Sequence, residues 1–243
     1  MKKLRSLTIF FPFLNDEGTV ERQINAAYKV GKMVTNDLEV IAIHGGASKD
    51  HTFEKIKEMK KIFPNLKIID KTDNCQGYAV IKYGFTSATK EWIFYTDGDA
   101  QYHIEQDLQK LINKAEKTKA DIVNGYKTKR NDNILRVWLG NCYAKLCKIF
   151  FQIPIRDIDC DFRLIKKVFL ERIILESTDS SILPELIKKL ELAGAKLSEI
   201  EVSHYKREYG KSNYFFLKLF WEKLTGDLKL YFKLRRIKTR NER

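Results

Sequence analysis

The sequence predicts an α/β fold, with a mostly parallel central sheet flanked by helices over residues 1–213 and a basic amphipathic helical tail over 214–243. Three observations point there. Apolar, strand-like runs alternate with amphipathic helical patterns through the first half of the chain. The polar clusters fall where those runs end, which is where ligands bind in open α/β sheets. The length of 243 residues, 44% hydrophobic and 12% aromatic, suits one domain with a full core.

Leu7–Phe11 reads as a buried strand and Thr19–Val34 as the helix after it. Leu38–Ile43 is strand-like, Thr52–Ile62 helical, and Leu66–Ile69 a short apolar strand. Tyr78–Ala88 reads as a helix, and Trp92–Thr96 as a strand running straight into Asp97-Gly98-Asp99. A helix near Glu105–Lys117 and a strand at Asp121–Asn124 complete the series. Mostly apolar strands expect cover on both faces, which a parallel sheet provides. Four prolines and twelve glycines are scattered and mark no hinge.

Composition removes several classes. The longest run without Asp, Glu, Lys or Arg is ten residues, Ser6–Asn15. A spanning helix needs about 20 apolar residues, so none is expected. The basic start, Met1–Arg5, leads to no small-residue cleavage site, so the expected location is cytoplasmic. Cys75, Cys142, Cys147 and Cys160 form no Cys-x-x-Cys pair, and no zinc or redox motif is expected. There is no G-x-G-x-x-G after the first strand and no P-loop.

The net charge of +13 favours polyanionic partners. Residues 214–243 carry nine Lys/Arg against three Asp/Glu. Within them Phe216, Leu219, Phe220, Leu224, Leu228 and Tyr231 recur at helical spacing, interrupted by Lys223, Gly226 and Asp227. Such a segment either lies on an anionic membrane surface or packs on the domain.

Three Asp-x-Asp pairs occur: Asp97/Asp99, Asp157/Asp159 and Asp159/Asp161. Only the first follows an uncharged strand. Two carboxylates at the mouth of a buried strand suffer desolvation and mutual repulsion. A divalent cation relieves both, and hard oxygen ligands suit Mg²⁺ or Mn²⁺. The other reading is an ordinary Asp/Gly turn.

Several blocks resemble glycosyltransferase family 2, in the branch of dolichyl-phosphate mannose synthase and other polyprenyl-phosphate hexosyltransferases. Thr96-Asp97-Gly98-Asp99-Ala100-Gln101-Tyr102 resembles the family's metal segment. Phe11-Pro12-Phe13-Leu14-Asn15-Asp16-Glu17-Gly18 resembles its opening turn, and Ser48–Thr52 the end of its second-strand motif. Asp157–Leu164 resembles its Asp-x-x-Cys-Gly-Phe-Arg segment, and His204–Ser212 its late loop. There are two departures. Gly45-Gly46 stands where the family has acids or amides, one of which reads the nucleotide base; Asp161 stands where it has glycine.

The resemblance implies a single nucleotide-sugar domain of the GT-A type and inverting transfer of a hexose from a UDP- or GDP-sugar. Asp99 and Asp97 would hold the metal, and Asp99, Arg207 and Glu185 form the implied catalytic set. Pro12, Asn15, Glu17, Asp97, Gln101, Lys127, Arg130 and Arg136 are the implied donor-binding residues. The acceptor is a polyprenyl phosphate at the cytosolic membrane face, or else a sugar hydroxyl on a lipid-linked oligosaccharide or polysaccharide. A hydroxyl needs a general base, for which Glu185 is placed; a phosphate, with a second pKa of about 6, does not. Glu185 also fits an exposed first-turn helix residue after Pro184. A basic nucleic-acid-binding module is the competing class, but it leaves the acids at three strand ends without a role.

Overall fold

The structure is a computed structural model of the chain. It describes residues 3–71, 77–127, 145, 147, 149–209, 225–228 and 230–232. The described residues build a seven-stranded sheet from β1 (Leu7–Phe13), β2 (Leu38–His44), β3 (Lys67–Asp70), β4 (Trp92–Thr96), β5 (Ile122–Lys127), β6 (Phe162–Lys166) and β7 (Leu197–Val202). Its order is β3-β2-β1-β4-β6-β5-β7. Strand β6 runs antiparallel to β4 and β5; every other pairing is parallel. The helices are α1 (Val20–Val34), α2 (Thr52–Ile62), α3 (Ile81–Ser87), α4 (Ile104–Thr118), α5 (Lys167–Leu170) and α6 (Ile182–Leu192).

The period-two alternation of strand side chains explains why β1 carries no charge. Leu7, Ile9, Phe11 and Phe13 face one layer, containing Ile24 of α1 and Leu108 and Leu111 of α4. Phe10 faces the other, with Phe85 of α3 and Leu183 and Leu186 of α6. Each fully buried side chain of this size contributes about 1.5–3 kcal/mol. Helix α4 shows how the pattern specifies the packing. Ile104, Leu108, Leu111, Ile112 and Ala115 are buried at helical spacing, while Glu105 opens its first turn, where acids suit the dipole. The chain leaves α4 through Lys119 in a left-handed conformation.

The expected helix at Tyr78–Ala88 begins as a 3-10 turn, Gly77–Val80, before α3. Of the tail, Leu230 is buried with Phe151, Ile153 and Ile187, and Asp227 is buried beside Cys147 Sγ at 3.8 Å. This part of the tail packs on the domain. The tail's Lys and Arg residues all lie outside the described residues. Among the described residues no helix is long and apolar enough to cross a membrane.

Candidate active site

The site forms where β1 and β4 end and β6 begins. Strand β4 delivers Asp97-Gly98-Asp99, and the turn is pinned against β1 by Gly98 N–H donating to the Pro12 carbonyl at 3.1 Å. A side chain on Gly98 would overlap the Phe13 ring and come within 2.7 Å of that carbonyl, so the turn requires glycine. Thr19, at the start of α1, donates its hydroxyl to Gly98 O at 2.6 Å, and Gln23 Nε2 donates to Asp97 O at 3.1 Å. Helix α1 therefore fixes the backbone of the acidic turn from below.

Asp99 is buried; its Oδ1 accepts the Gln101 N–H at 3.1 Å and its Oδ2 pairs with Arg207. Arg207 arrives from the loop after β7. That loop is stitched to the turn by Tyr205 N–H to Gln101 O at 2.8 Å and Gln101 Nε2 to Tyr205 O at 3.1 Å. Arg207 also lies 4.0 Å from Asp16, whose Oδ2 accepts the Leu14 N–H at 2.9 Å.

The antiparallel register of β4 and β6 pairs Thr96 with Phe162, which brings Asp161 opposite Asp97. Asp161 is buried and accepts the Tyr95 hydroxyl at 3.2 Å; Arg163 in turn donates to that hydroxyl at 2.6 Å. Arg163 is itself fully buried, with its remaining donors on Asn124 Oδ1 and Ile158 O. It is a buried cation whose donors are shared among three acceptors.

Four carboxylates thus converge, with Arg207 as the cation paired to Asp99. The electrostatics follow. Burial raises Asp97 well above the usual carboxylate range, and Asp161, Asp99 and Asp16 push it further. Burial also raises Asp16 to about 6, with Asp99 adding and the Leu14 amide and Arg207 opposing. Asp161 is raised by burial, with Arg163 pulling it back. A cation would relieve this repulsion. Among the described residues no three His, Cys, Asp or Glu side chains form a preformed cage. A pair of carboxylates completed by phosphate oxygens is the mode Mg²⁺ commonly uses.

Residues 8–174, beginning in β1 and running past β6, match the description of glycosyl transferase family 2. The chain belongs to glycosyl transferase family 2. Among its relatives is the undecaprenyl-phosphate 4-deoxy-4-formamido-L-arabinose transferase of Proteus mirabilis, 24% identical over 219 residues, 90% of this chain and 65% of the relative. Another is the dodecaprenyl-phosphate galacturonate synthase of Rhizobium johnstonii, 20% identical over 209 residues, 86% of this chain and 61% of the relative. The chain thus spans less than two-thirds of the length of either. The fold is shared with glucosyl-3-phosphoglycerate synthase from Mycobacterium tuberculosis, solved with Mn²⁺, uridine diphosphate and phosphoglyceric acid. The TM-score is 0.66 at 12% identity, covering 93% of this chain and 78% of that one. The mannosyltransferase PcManGT from Pyrobaculum calidifontis, solved with GDP-Man and Mn²⁺, aligns with TM-score 0.59 at 18% identity, over 85% and 59% of the two chains. This is the GT-A fold.

Within this family 2 domain the expected residues separate into groups. Asp97, Asp99 and Arg207 come together at the strand mouth. Pro12 contributes its carbonyl to the Gly98 turn. Asn15 and Glu17 spend their side chains on loop amides, Asn15 Oδ1 on Lys49 N–H at 2.6 Å and Glu17 Oε2 on His51 N–H at 2.8 Å. Gln101 ties down the late loop. Lys127 Nζ donates to Asp159 O at 3.3 Å and lies 3.7 Å from Asp157. Arg130 and Arg136 lie outside the described residues.

Glu185 sits in the first turn of α6 as expected, but it is fully buried, not exposed. Its oxygens accept the N–H groups of Glu176 at 2.9 Å and Ser177 at 2.8 Å, and Lys189 Nζ stands 2.6 Å away. Burial would raise its pKa, but Lys189 and the two amides outweigh that and leave it lowered. A carboxylate so held is a weak proton acceptor and a strong loop clamp.

Sequence reasoning placed Asp16 at a strand end without giving it a role in the site. Its signal was the position directly after β1, between two residues that turned out to be loop anchors.

Proposed function

We propose that the chain is an inverting, metal-dependent hexosyltransferase that moves a hexose from a UDP- or GDP-sugar to a polyprenyl phosphate. It would act peripherally at the cytosolic face of a membrane. The observation that carries the proposal is the convergence of Asp97, Asp99, Asp16 and Asp161 on one strand mouth opposite Arg207. Asp97 and Asp99 would hold Mg²⁺ or Mn²⁺, which when bound neutralises charge on the leaving diphosphate. With the cation in place, Arg207 can leave Asp99 and pair with the diphosphate oxygens. The acceptor phosphate oxygen attacks the anomeric carbon as the sugar–diphosphate bond breaks, and the electron pair departs with the nucleoside diphosphate. A phosphate acceptor arrives largely ionised, so no general base is required. The engagement of both Glu185 oxygens supports this acceptor over a sugar hydroxyl, and so do the two polyprenyl-phosphate transferases among the relatives.

The test is purified protein with UDP-glucose or GDP-mannose and either undecaprenyl phosphate or undecaprenol, with Mn²⁺ or with EDTA. Product is expected only on the phosphate and only with metal. Transfer to an oligosaccharide hydroxyl, with none to the phosphate, would overturn the acceptor assignment.

A further inference from the structure

Arg207 is bracketed by contacts that the transfer chemistry leaves without a role. Two residues before it, Tyr205 lays its ring on His103, with centroids 3.9 Å apart and planes within 11°. His103 stands directly before α4 in extended backbone, with φ −103° and ψ 105°. One residue after Arg207, Glu208 faces Arg22 of α1 at 3.4 Å. Arg22 closes the circuit, because its Nη2 lies 2.6 Å from His103 Nε2. The loop is tied to α4 as well: Ser203 N–H donates to Asp107 Oδ2 at 2.7 Å and Tyr205 O–H to Gln106 Oε1 at 2.7 Å. His103 and Arg22 together touch the late loop on both sides of Arg207.

This geometry requires an uncharged ring. A guanidinium only donates, so His103 Nε2 is the acceptor and the ring hydrogen sits on Nδ1. Nδ1 faces the neutral Gln106 amide at 3.4 Å. A proton on Nε2 would remove the acceptor and set two cations 2.6 Å apart. The surroundings oppose that proton. Burial first and Arg22 second lower the His103 pKa, while Glu105, Glu208 and Asp107 pull it up by less. The ring is therefore uncharged at neutral pH and takes its proton only on acidification, below the ordinary histidine value of about 6.5.

We propose that His103 is a positioning residue for the transfer: its uncharged ring, through Tyr205 and Arg22, holds Arg207 at the acidic turn, and protonation loosens that hold. The inference rests on the hexosyl-transfer reading above, in which Arg207 meets the leaving diphosphate. In that reading His103 touches neither donor nor metal and acts through the loop. Losing a hydrogen bond to a charged group corresponds to roughly tenfold in an equilibrium, so the late loop should open about that much more often.

The experiment compares the full-length wild type, His103→Phe and His103→Gln from about pH 5 to pH 8. Hydrogen exchange of the 203–209 amides, corrected for intrinsic rate, is read without metal or nucleotide. Transfer from UDP-glucose or GDP-mannose to undecaprenyl phosphate is read with Mn²⁺. Wild-type protection should fall by roughly tenfold as His103 takes its proton. His103→Phe keeps a ring on Tyr205 but offers Arg22 no acceptor. It should show the weaker protection at every pH and lose about tenfold in transfer. His103→Gln keeps an acceptor that does not titrate, and should hold protection near the wild-type level with no pH step. Asp16 and the acceptor phosphate also titrate near pH 6, so the transfer signature is the part of the acid loss that disappears in His103→Gln. In an Arg207→Met background, His103→Phe should cause no further loss of transfer, because it acts through Arg207. Unchanged protection in His103→Phe, a pH step retained in His103→Gln, or losses that add to Arg207→Met overturn the inference. If His103→Phe does not fold, the comparison of wild type with His103→Gln decides. If the wild type transfers no hexose from either donor, the hexosyl-transfer reading falls, and the exchange data alone decide whether His103 holds the loop.

Discussion

Asp16 gives the sharpest test of the acidic site. Its carboxyl is raised from 3.8 to about 6, chiefly by burial, with the Leu14 amide opposing and Asp99 adding. A raised carboxyl costs stability where the unfolded chain has ionised and the native one still holds its proton. That cost grows between about pH 4 and pH 6 and is complete above pH 6. At 1.36 kcal/mol per unit, a rise of about two units comes to about 3 kcal/mol. Asp16→Asn removes the ionisation while keeping an oxygen for the Leu14 amide. Arg207, 4.0 Å away, loses some attraction, so 3 kcal/mol is an upper bound. The variant should therefore be more stable than wild type at pH 7.5 and no more stable at pH 4. For a domain of this size each kcal/mol moves Tm by about 2–4 °C, so the gain is up to about 12 °C. The assay is urea and thermal unfolding in EDTA at four pH values across this range. A gain that is the same at every pH, or absent at pH 7.5, would refute the argument that Asp16 is strained by burial and by Asp99.

The other expectations are shorter. Asp99→Ala should fold, lose transfer, and lose the extra thermal stability that Mn²⁺ with nucleotide confers on the wild type; retained transfer would remove Asp99 from the metal. Glu185→Gln strips the buried partner from Lys189 and should cost about 3 kcal/mol in urea unfolding, with kcat of the folded fraction unchanged. Unchanged stability with lost transfer would restore the general-base role and the hydroxyl acceptor. Gly46→Asp must enter φ 117° and should lose about 1–3 kcal/mol without improving base preference. Removing residues 214–243 should abolish binding to anionic vesicles and uncover the Phe151–Ile187 cluster that Leu230 covers, while nucleotide binding persists. A truncated chain that still binds vesicles would place membrane contact elsewhere.

The legible parts of the fold were those where local pattern and tertiary environment agree. Strands β1, β2 and β4 are buried on both faces, so their apolar runs mark them directly. The strand series read from sequence ends at Asn124, and β6 is hard to read locally because Arg163 interrupts its apolar run and a lone Arg ordinarily marks a solvent face. Here the guanidinium is buried, with acceptors from β4, β5 and the preceding loop. Those partners are far apart in sequence and invisible to any local window. The Asp97/Asp99 pair was legible because an uncharged strand aims it. Asn15 and Glu17 look like ligand groups beside Asp16, and only the α2 loop folding back onto their side chains shows otherwise. For Glu185 the (i, i+4) pair with Lys189 was readable on the helix, but the amides of Glu176 and Ser177 belong to a loop that closes over it.

The distribution of charge explains why a strongly basic protein has an acidic site. Polyanionic partners are drawn by the net +13, yet the strand mouth itself carries four carboxylates against Arg207. On the proposed function, that cluster would repel a diphosphate unless a cation joined it, which would couple donor binding to metal binding. The late loop makes the coupling physical. Arg207 pairs with Asp99, and its loop is stitched to the same turn through Gln101 and Tyr205 and braced on α1 by Arg22–Glu208 at 3.4 Å. On the proposed function, a cation held by Asp99 would leave Arg207 available to pair with the diphosphate. Arg207, which shields the Asp99 carboxylate here, would then serve as a counter-charge for the leaving group.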